Sequence, residues 1–294
     1  MGGGQQQALA LMTRLAALGH EQTLLTPGGS PLYEAACAAG LDARPLSVAA
    51  VVRFGRDVDV VHAHDASAHS MAAAAGRAPV VVSRRTGGPV RRGPASRWKY
   101  RRAAHFIAVS HYVEQRLLDS GILPERISVV YDGVDPGPGE YDPAAPDAVA
   151  LNGAQTPDGR RIVEEAAQMA GVPVRFSDDL RPALAEARLF VYIAETEGLG
   201  LPALVAMANG VPVVASRVGG LPEAVEDGRT GILTSNDPRS VAAAMARLFG
   251  NEPLARELSA NGRRRIAERF SVESMAAGTL DAYHTALFRA KAAG

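Results

Sequence analysis

The sequence has almost no cysteine. Cys37 stands alone among 294 residues, so no internal disulfide and no cysteine-built metal site can form. A reducing cytoplasm is therefore the expected compartment. There is no apolar run near the ~18 residues that a membrane span needs. Met1 is followed by Gly2-Gly3-Gly4 and then Gln5-Gln6-Gln7, without the basic and apolar regions of a signal peptide. Net charge is also absent, with 31 Lys and Arg against 31 Asp and Glu. That excludes a whole-molecule basic field for nucleic acid and leaves only local patches to consider. With 47% hydrophobic and 21% charged residues, the chain is neither disordered nor fibrous in composition. At roughly 150 residues per domain, its length predicts two domains.

What is present is an alternation of short β-branched runs with longer Ala- and Leu-rich stretches, the pattern of βα units around parallel sheets. Strands are predicted at Gln22–Thr26, Val58–His62, Pro79–Ser83, His105–Ala108 and Ile127–Val130, with helices at Gln6–Leu18, Pro31–Ala39, Ser67–Gly76 and His111–Ser120. Four prolines and three glycines between Asp132 and Pro146 mark a linker. Beyond it the pattern restarts, with strands at Ala148–Leu151, Val172–Phe176, Leu189–Ile193 and Val211–Ser216. Helices follow at Arg160–Ala170, Arg181–Ala187 and Pro202–Asn209, and only helices after Pro238. The reading is α/β: two Rossmann-like domains, 1–136 and 147–294, with a cleft between them and closing C-terminal helices. No strand is predicted before the opening glycines, where a doubly wound sheet normally has a central one; a missing first strand is the expectation.

The segment richest in chemistry runs from Glu195-Thr196-Glu197-Gly198-Leu199-Gly200-Leu201-Pro202 through Asn209-Gly210-Val211-Pro212 to Gly219-Gly220-Leu221-Pro222-Glu223 and Asp227-Gly228-Arg229-Thr230-Gly231. It reads as strand, glycine turn, helix, strand and second glycine turn. Gly198 and Gly200 let backbone approach a ligand closely, and Pro202 suits a first helical turn. The helix start offers unpaired N–H groups and a positive dipole end to a diphosphate. The Glu197 carboxylate, at the turn, can accept hydroxyls of a sugar. The plain alternative is a strand-to-helix turn with no ligand.

This string resembles the nucleotide-sugar-binding half of the family four retaining glycosyltransferases, which have the GT-B fold. The resemblance extends through Gly2-Gly3-Gly4-Gln5-Gln6-Gln7, Gly19-His20-Glu21-Gln22-Thr23-Leu24-Leu25, Asp59-Val60-Val61-His62-Ala63-His64-Asp65, Ala108-Val109-Ser110 and Tyr131-Asp132-Gly133-Val134-Asp135. It implies transfer of a sugar, with retention and without a metal or other cofactor, from a nucleoside diphosphate sugar to a glycan or glycolipid acceptor in cell-envelope or lipopolysaccharide synthesis. It also implies that Glu197 contacts the donor sugar and that the amides from Gly198 through Leu199 and Gly200 to Leu201 hold the diphosphate. Gly3 and Gly4 would approach the donor phosphates or the acceptor.

Three family features are altered here. Val205 stands where a second glutamate usually contacts the ribose, a loss of roughly 1–3 kcal/mol if nothing replaces it. The loop Asn152–Gly159 has Ala154 and Asp158 in place of an Arg and a Lys, with Arg160 and Arg161 following as candidate substitutes. Where many members have a histidine after the strand ending at Ser83, this chain has Arg84 and Arg85. These are candidates for the acceptor or the departing phosphate. The rival reading is a GT-B-like binding or partner protein whose donor site has decayed.

Two further features bear on the acceptor side. His62, His64 and Asp65 end a predicted strand, and alternation puts both histidines on one face. Cleft lining, metal binding and plain packing are the alternatives, and His64 joins Glu197 and Arg85 as a catalytic candidate. The run Arg84–Arg102 holds Arg84, Arg85, Arg91, Arg92, Arg97, Lys99, Arg101 and Arg102 with no acid, interleaved with Trp98 and Tyr100. An anionic acceptor, docking on the acidic inner membrane leaflet, and a merely solvated face compete for it. No nucleic-acid fold accompanies the run.

Overall fold

The computed structural model describes residues 1–75, 78–90, 93–151 and 158–293. The chain divides into two compact units, Met1–Gly133 with Val272–Gly294, and Val134–Ser271. Every strand pair in both is parallel.

The first unit begins with α1 (Gly3–Ala17), β1 (Leu24–Thr26), α2 (Pro31–Ala38), β2 (Ala43–Pro45) and α3 (Val48–Phe54). It continues through β3 (Val61–Ala63), α4 (Ala66–Ala75), β4 (Val80–Arg84), α5 (Pro94–Arg102), β5 (Ala103–Ala108), α6 (His111–Leu118) and β6 (Ile127–Val129). Its strands form a β1-β2 pair and a separate sheet of order β3-β4-β5-β6. Val80-Val81-Val82 and Phe106-Ile107-Ala108 are buried along their whole length, as parallel strands covered on both faces require. The C-terminal helix α13 (Val272–Ala293) returns to this unit. Its Met275, Ala276, Ala282 and Ala286 share a core with Leu11 and Leu15 of α1, Val81 and Ile107.

The second unit comprises β7 (Asp147–Leu151), α7 (Gly159–Ala170), β8 (Val174–Ser177), α8 (Leu180–Leu184), β9 (Ala187–Tyr192) and α9 (Leu201–Ala208). After them come β10 (Val213–Ser216), α10 (Leu221–Ala224), β11 (Ile232–Thr234), α11 (Pro238–Phe249) and α12 (Glu252–Arg269). The sheet order is β11-β10-β9-β7-β8. In order of appearance this is 2-1-3-4-5, which reverses direction between β7 and β9. Ligands of such sheets bind beyond the carboxyl ends of the strands at that reversal. The loop leaving β9 carries Glu197.

Some boundaries differ from expectation. The Val58–His62 strand begins only at Val61, because Asp57 and Asp59 flank Val58 and leave it exposed. The Arg181–Ala187 helix ends at Leu184, and Ala187 already pairs in β9. The basic run contains a full helix, α5, none of whose residues is buried. Gly3 and Gly4, expected in a glycine loop, form the first turn of α1 with Gly2 as its cap.

Candidate functional site

In the second unit the two glycine turns are built against each other. At Gly219, with φ +56°, a Cβ would stand 2.1 Å from the Glu197 carbonyl oxygen, and Gly220 N–H donates to that same oxygen at 3.0 Å. At Gly200, with φ +104°, a Cβ would meet Leu221 at 2.4 Å. Neither position accepts a side chain, which is the physical reason for both glycines. Farther back, Ser216 is fully buried. Its Oγ accepts from Ala194 N–H at 2.9 Å and donates to Asn236 Oδ1, while Asn236 Nδ2 donates to Ala194 O at 2.7 Å. The loop that presents Glu197 is thus fixed to β10 and to the turn after β11.

Glu197 itself is half-buried. Its Oε1 accepts from Gly198 N–H at 2.8 Å and its Oε2 from the Tyr192 hydroxyl at 2.5 Å. The Gly198 amide, expected to face a diphosphate, is therefore engaged by the neighbouring carboxylate. Gly200 caps α9 without a side-chain acceptor, and Pro202 in the first turn has no N–H to satisfy. The first N–H groups of the helix, Leu201 among them, have no intrahelical partner, so a positive dipole end remains for an anion. Leu199 is buried. Val205 is buried as well, and its carbonyl accepts from the Asn209 side chain.

Arg160 and Arg161 lie on the first turn of α7, and Arg160 lines a cavity shared with Phe176 and Tyr192. Arg160 Nε donates to Glu164 at 2.8 Å and its guanidinium lies over the Phe176 ring at 4.2 Å. Arg161 pairs with Glu165 at 2.8 Å and Asp158 at 3.4 Å. Both are helix-surface ion pairs. Ala154 lies outside the described residues.

In the first unit the carboxyl ends of β3, β4 and β6 converge. His62 and His64 lie on one face, ring centroids 4.0 Å apart. His62 Nε2 meets Ser83 Oγ at 2.8 Å and its Nδ1 meets the Tyr283 hydroxyl of α13 at 2.7 Å. Arg85 Nε bonds Asp132 Oδ1 at 2.9 Å, and its Nη1 faces His64 Nδ1 at 3.4 Å. Burial first, then the Arg85 charge, pushes His62 down to about 3. Burial, His62 and Arg85 hold His64 well below the usual imidazole range. Both rings are neutral at physiological pH. The open start of α1 lies alongside: a Cβ on Gly4 would sit 3.8 Å from Arg85. Gln7 clamps α1 to the segment bearing Asp132, exchanging both amide bonds with Gly133 at 2.8 and 3.0 Å.

Two acceptor-side candidates lie elsewhere. Arg84, adjacent in a strand, points to the opposite face and bonds the Tyr100 hydroxyl at 2.9 Å and Gly88 O. Asp65 caps α4, accepting from Ser67 and Ala68 N–H at 2.7 and 2.8 Å. Arg91 and Arg92 lie outside the described residues. Among the described residues no cluster of three or more metal-ligating side chains occurs. Sequence reasoning missed Ser83, Tyr283 and the Asp132 pairing. Asp132 lies within a recognisable motif, but nothing local to Tyr283 marks it, since its partner is 221 positions away.

The Arg85 and Asp132 side chains are only 14% and 8% exposed. Asp132→Ala is expected to destabilise the first unit by about 3 kcal/mol, because it strands a buried guanidinium. Arg85→Met added to it should recover part of that loss in urea denaturation.

Residues 1–137 match the model of Glycosyltransferase Family 4, and residues 152–251 that of Glycosyl transferases group 1. The chain is 41% identical over 117 residues to the MMP alpha-(1->4)-mannosyltransferase of Mycolicibacterium hassiacum, covering 39% of this chain and 28% of that protein. It is 36% identical over 158 residues to the alpha-maltose-1-phosphate synthase of Mycolicibacterium smegmatis, covering 47% and 41%. The chain thus spans well under half the length of these curated relatives. Among solved structures, Anabaena HepE in complex with UDP and glucose superposes with a TM-score of 0.82 at 17% identity, covering 95% of each chain. The chain is thus similar to those glycosyltransferase families over residues 1–137 and 152–251, and its fold matches that of GT-B glycosyltransferases.

Proposed function

We propose that the protein transfers a sugar, with retention and without a metal, from a nucleoside diphosphate sugar to a glycan or glycolipid acceptor. The observation that carries this reading is the Glu197 turn. A carboxylate is held rigidly at the sheet's reversal point, one turn before an uncapped helix start. The Glu197 carboxylate would accept hydroxyls of the donor sugar, and the first amides of α9 would stabilise the departing diphosphate. In the first unit, Arg85 would offer its remaining N–H groups to the acceptor or phosphate, with His64 beside it. UDP-glucose as the donor class is supported by the HepE complex with that compound.

The test is release of nucleoside diphosphate from UDP-, GDP- and ADP-glucose by the purified chain. Turnover of at least one, lost in Glu197→Ala, is expected. The second reading, a binding protein with a decayed donor site, is favoured by one observation: Arg160 and Arg161 form solvent-exposed ion pairs along their own helix with Glu164 and Glu165. It predicts no turnover of any of the three.

Membrane association is part of the proposal. No helix among the described residues is long and apolar enough to span a bilayer. Tyr100 stacks on Phe106 at 5.4 Å and Lys99 bonds Ala66 O and Ser70, which seats α5 on its unit and leaves Arg97, Trp98, Arg101 and Arg102 exposed. This face suits an anionic leaflet, at about 1 kcal/mol per basic residue. Neutralising Arg97, Arg101 and Arg102 together should weaken sedimentation with phosphatidylglycerol vesicles on the order of 100-fold. Unchanged sedimentation would remove the membrane from the account.

A further inference from the structure

We infer that Tyr192 is a positioning residue for Glu197 and thereby determines how tightly the sugar half of the donor is held. The inference rests on the donor-site reading above. Tyr192 is the last residue of β9 and is 2% exposed, its ring stacked along that of Phe190 at 6.0 Å. Phe190 is fully buried in turn, which fixes the ring plane, and the phenol hydroxyl donates to Glu197 Oε2. Burial and the adjacent carboxylate raise the phenol's pKa far above its ordinary value, so the hydroxyl is a permanent donor.

A carboxylate has about four lone-pair sites. The Tyr192 hydroxyl takes one on Oε2 and Gly198 N–H one on Oε1, which leaves one on each oxygen. Those two sites point in fixed directions only while both donors hold. The backbone beneath is secured separately, by Gly220 N–H and the Ser216–Asn236 network. Removing the Tyr192 hydroxyl therefore frees the carboxylate and leaves the loop in place. A side chain that must be ordered on binding costs affinity that a preorganised one does not.

The experiment measures binding of UDP, GDP and ADP, and of their glucose conjugates, to the wild type, Tyr192→Phe, Glu197→Ala and the double variant. In Tyr192→Phe, affinity for the nucleoside diphosphate should stay within roughly twofold, since it does not touch Glu197. Affinity for the matching diphosphate sugar should fall about tenfold, the size of one hydrogen bond to a charged group. In the Glu197→Ala background, Tyr192→Phe should change neither. Equal losses for both ligands, no loss for the sugar conjugate, or a tenfold loss that persists without Glu197 would each overturn the inference. If the wild type binds none of the diphosphates, the donor-site reading fails and takes this inference with it. Binding of a diphosphate with no Tyr192 effect on its sugar conjugate defeats the inference alone.

Discussion

Between pH 6.5 and pH 4 the first unit is expected to unfold while the second stays folded. All seven histidines, His20, His62, His64, His69, His105, His111 and His284, lie in the first unit. Burial, with Arg85 adding to it, lowers His62 to about 3. Burial lowers His69 to about 4, with Lys99 and Arg84 contributing against a raising bond from the Lys99 carbonyl. His105 falls to about 4 through burial and the charges of Arg289 and Arg126. In the unfolded chain these rings take up protons near pH 6.5. The depressed native values mean that their contribution is complete above pH 6.5 and is lost as pH falls toward the native pKa values. At about 1.4 kcal/mol per unit, His62 alone forfeits ~3 kcal/mol by pH 4, and His64, His69 and His105 act in the same direction. Ordinary domains have only about 5–15 kcal/mol in total. The second unit has no histidine, and its Asp237 titrates near 2, below this window. Hydrogen exchange at pH 7, 5.5 and 4 checks this. Protection should vanish first in β3–β6 and α13, and simultaneous loss in β7–β11 would refute it.

Glu197→Ala is expected to lower kcat/KM for nucleotide-sugar turnover by about two to four orders of magnitude. Two hydrogen bonds to an ionised carboxylate contribute roughly 1.5–3 kcal/mol each, and each 1.36 kcal/mol is about tenfold in rate. The loss should not come from unfolding. Substitution leaves the Tyr192 hydroxyl without its acceptor, costing about 1–2 kcal/mol, while the backbone bonds through Gly220 and Ser216 persist. Glu197→Gln, which keeps an oxygen for Tyr192, should fall between. A loss under about threefold in Glu197→Ala would mean that the carboxylate does not meet the sugar.

The strands and long helices were legible because parallel strands buried on both faces read as apolar runs, as at Val80–Val82 and Val213–Ala215. The glycine turns were legible because only glycine fits Gly200 and Gly219. Strand β2 is masked by the charge and proline of Ala43-Arg44-Pro45, two of whose three residues are exposed, and β11 follows directly on the glycine turn ending at Gly231. Helix α5 has no buried face to write a period into the sequence. In the site, the two histidines followed from strand alternation, but Arg84 and Arg85 were grouped although the same alternation sends them to opposite faces. Asp65 read as a cleft residue and is a helix cap. Ser83, Asp132 and Tyr283 join the His62–Arg85 cluster through the fold, from separate strands and a returning helix, and no local spacing records that.

The most direct test of the account is thermal unfolding of the chain against uridine, guanosine and adenosine diphosphates and their sugars. A ligand at 100 times its Kd adds about 2.7 kcal/mol to native stability. One nucleotide family should raise the midpoint of the second unit, and its diphosphate sugar should do so in the wild type more than in Glu197→Ala. A cooperative transition that no nucleotide moves would contradict donor binding and leave the decayed-site reading standing.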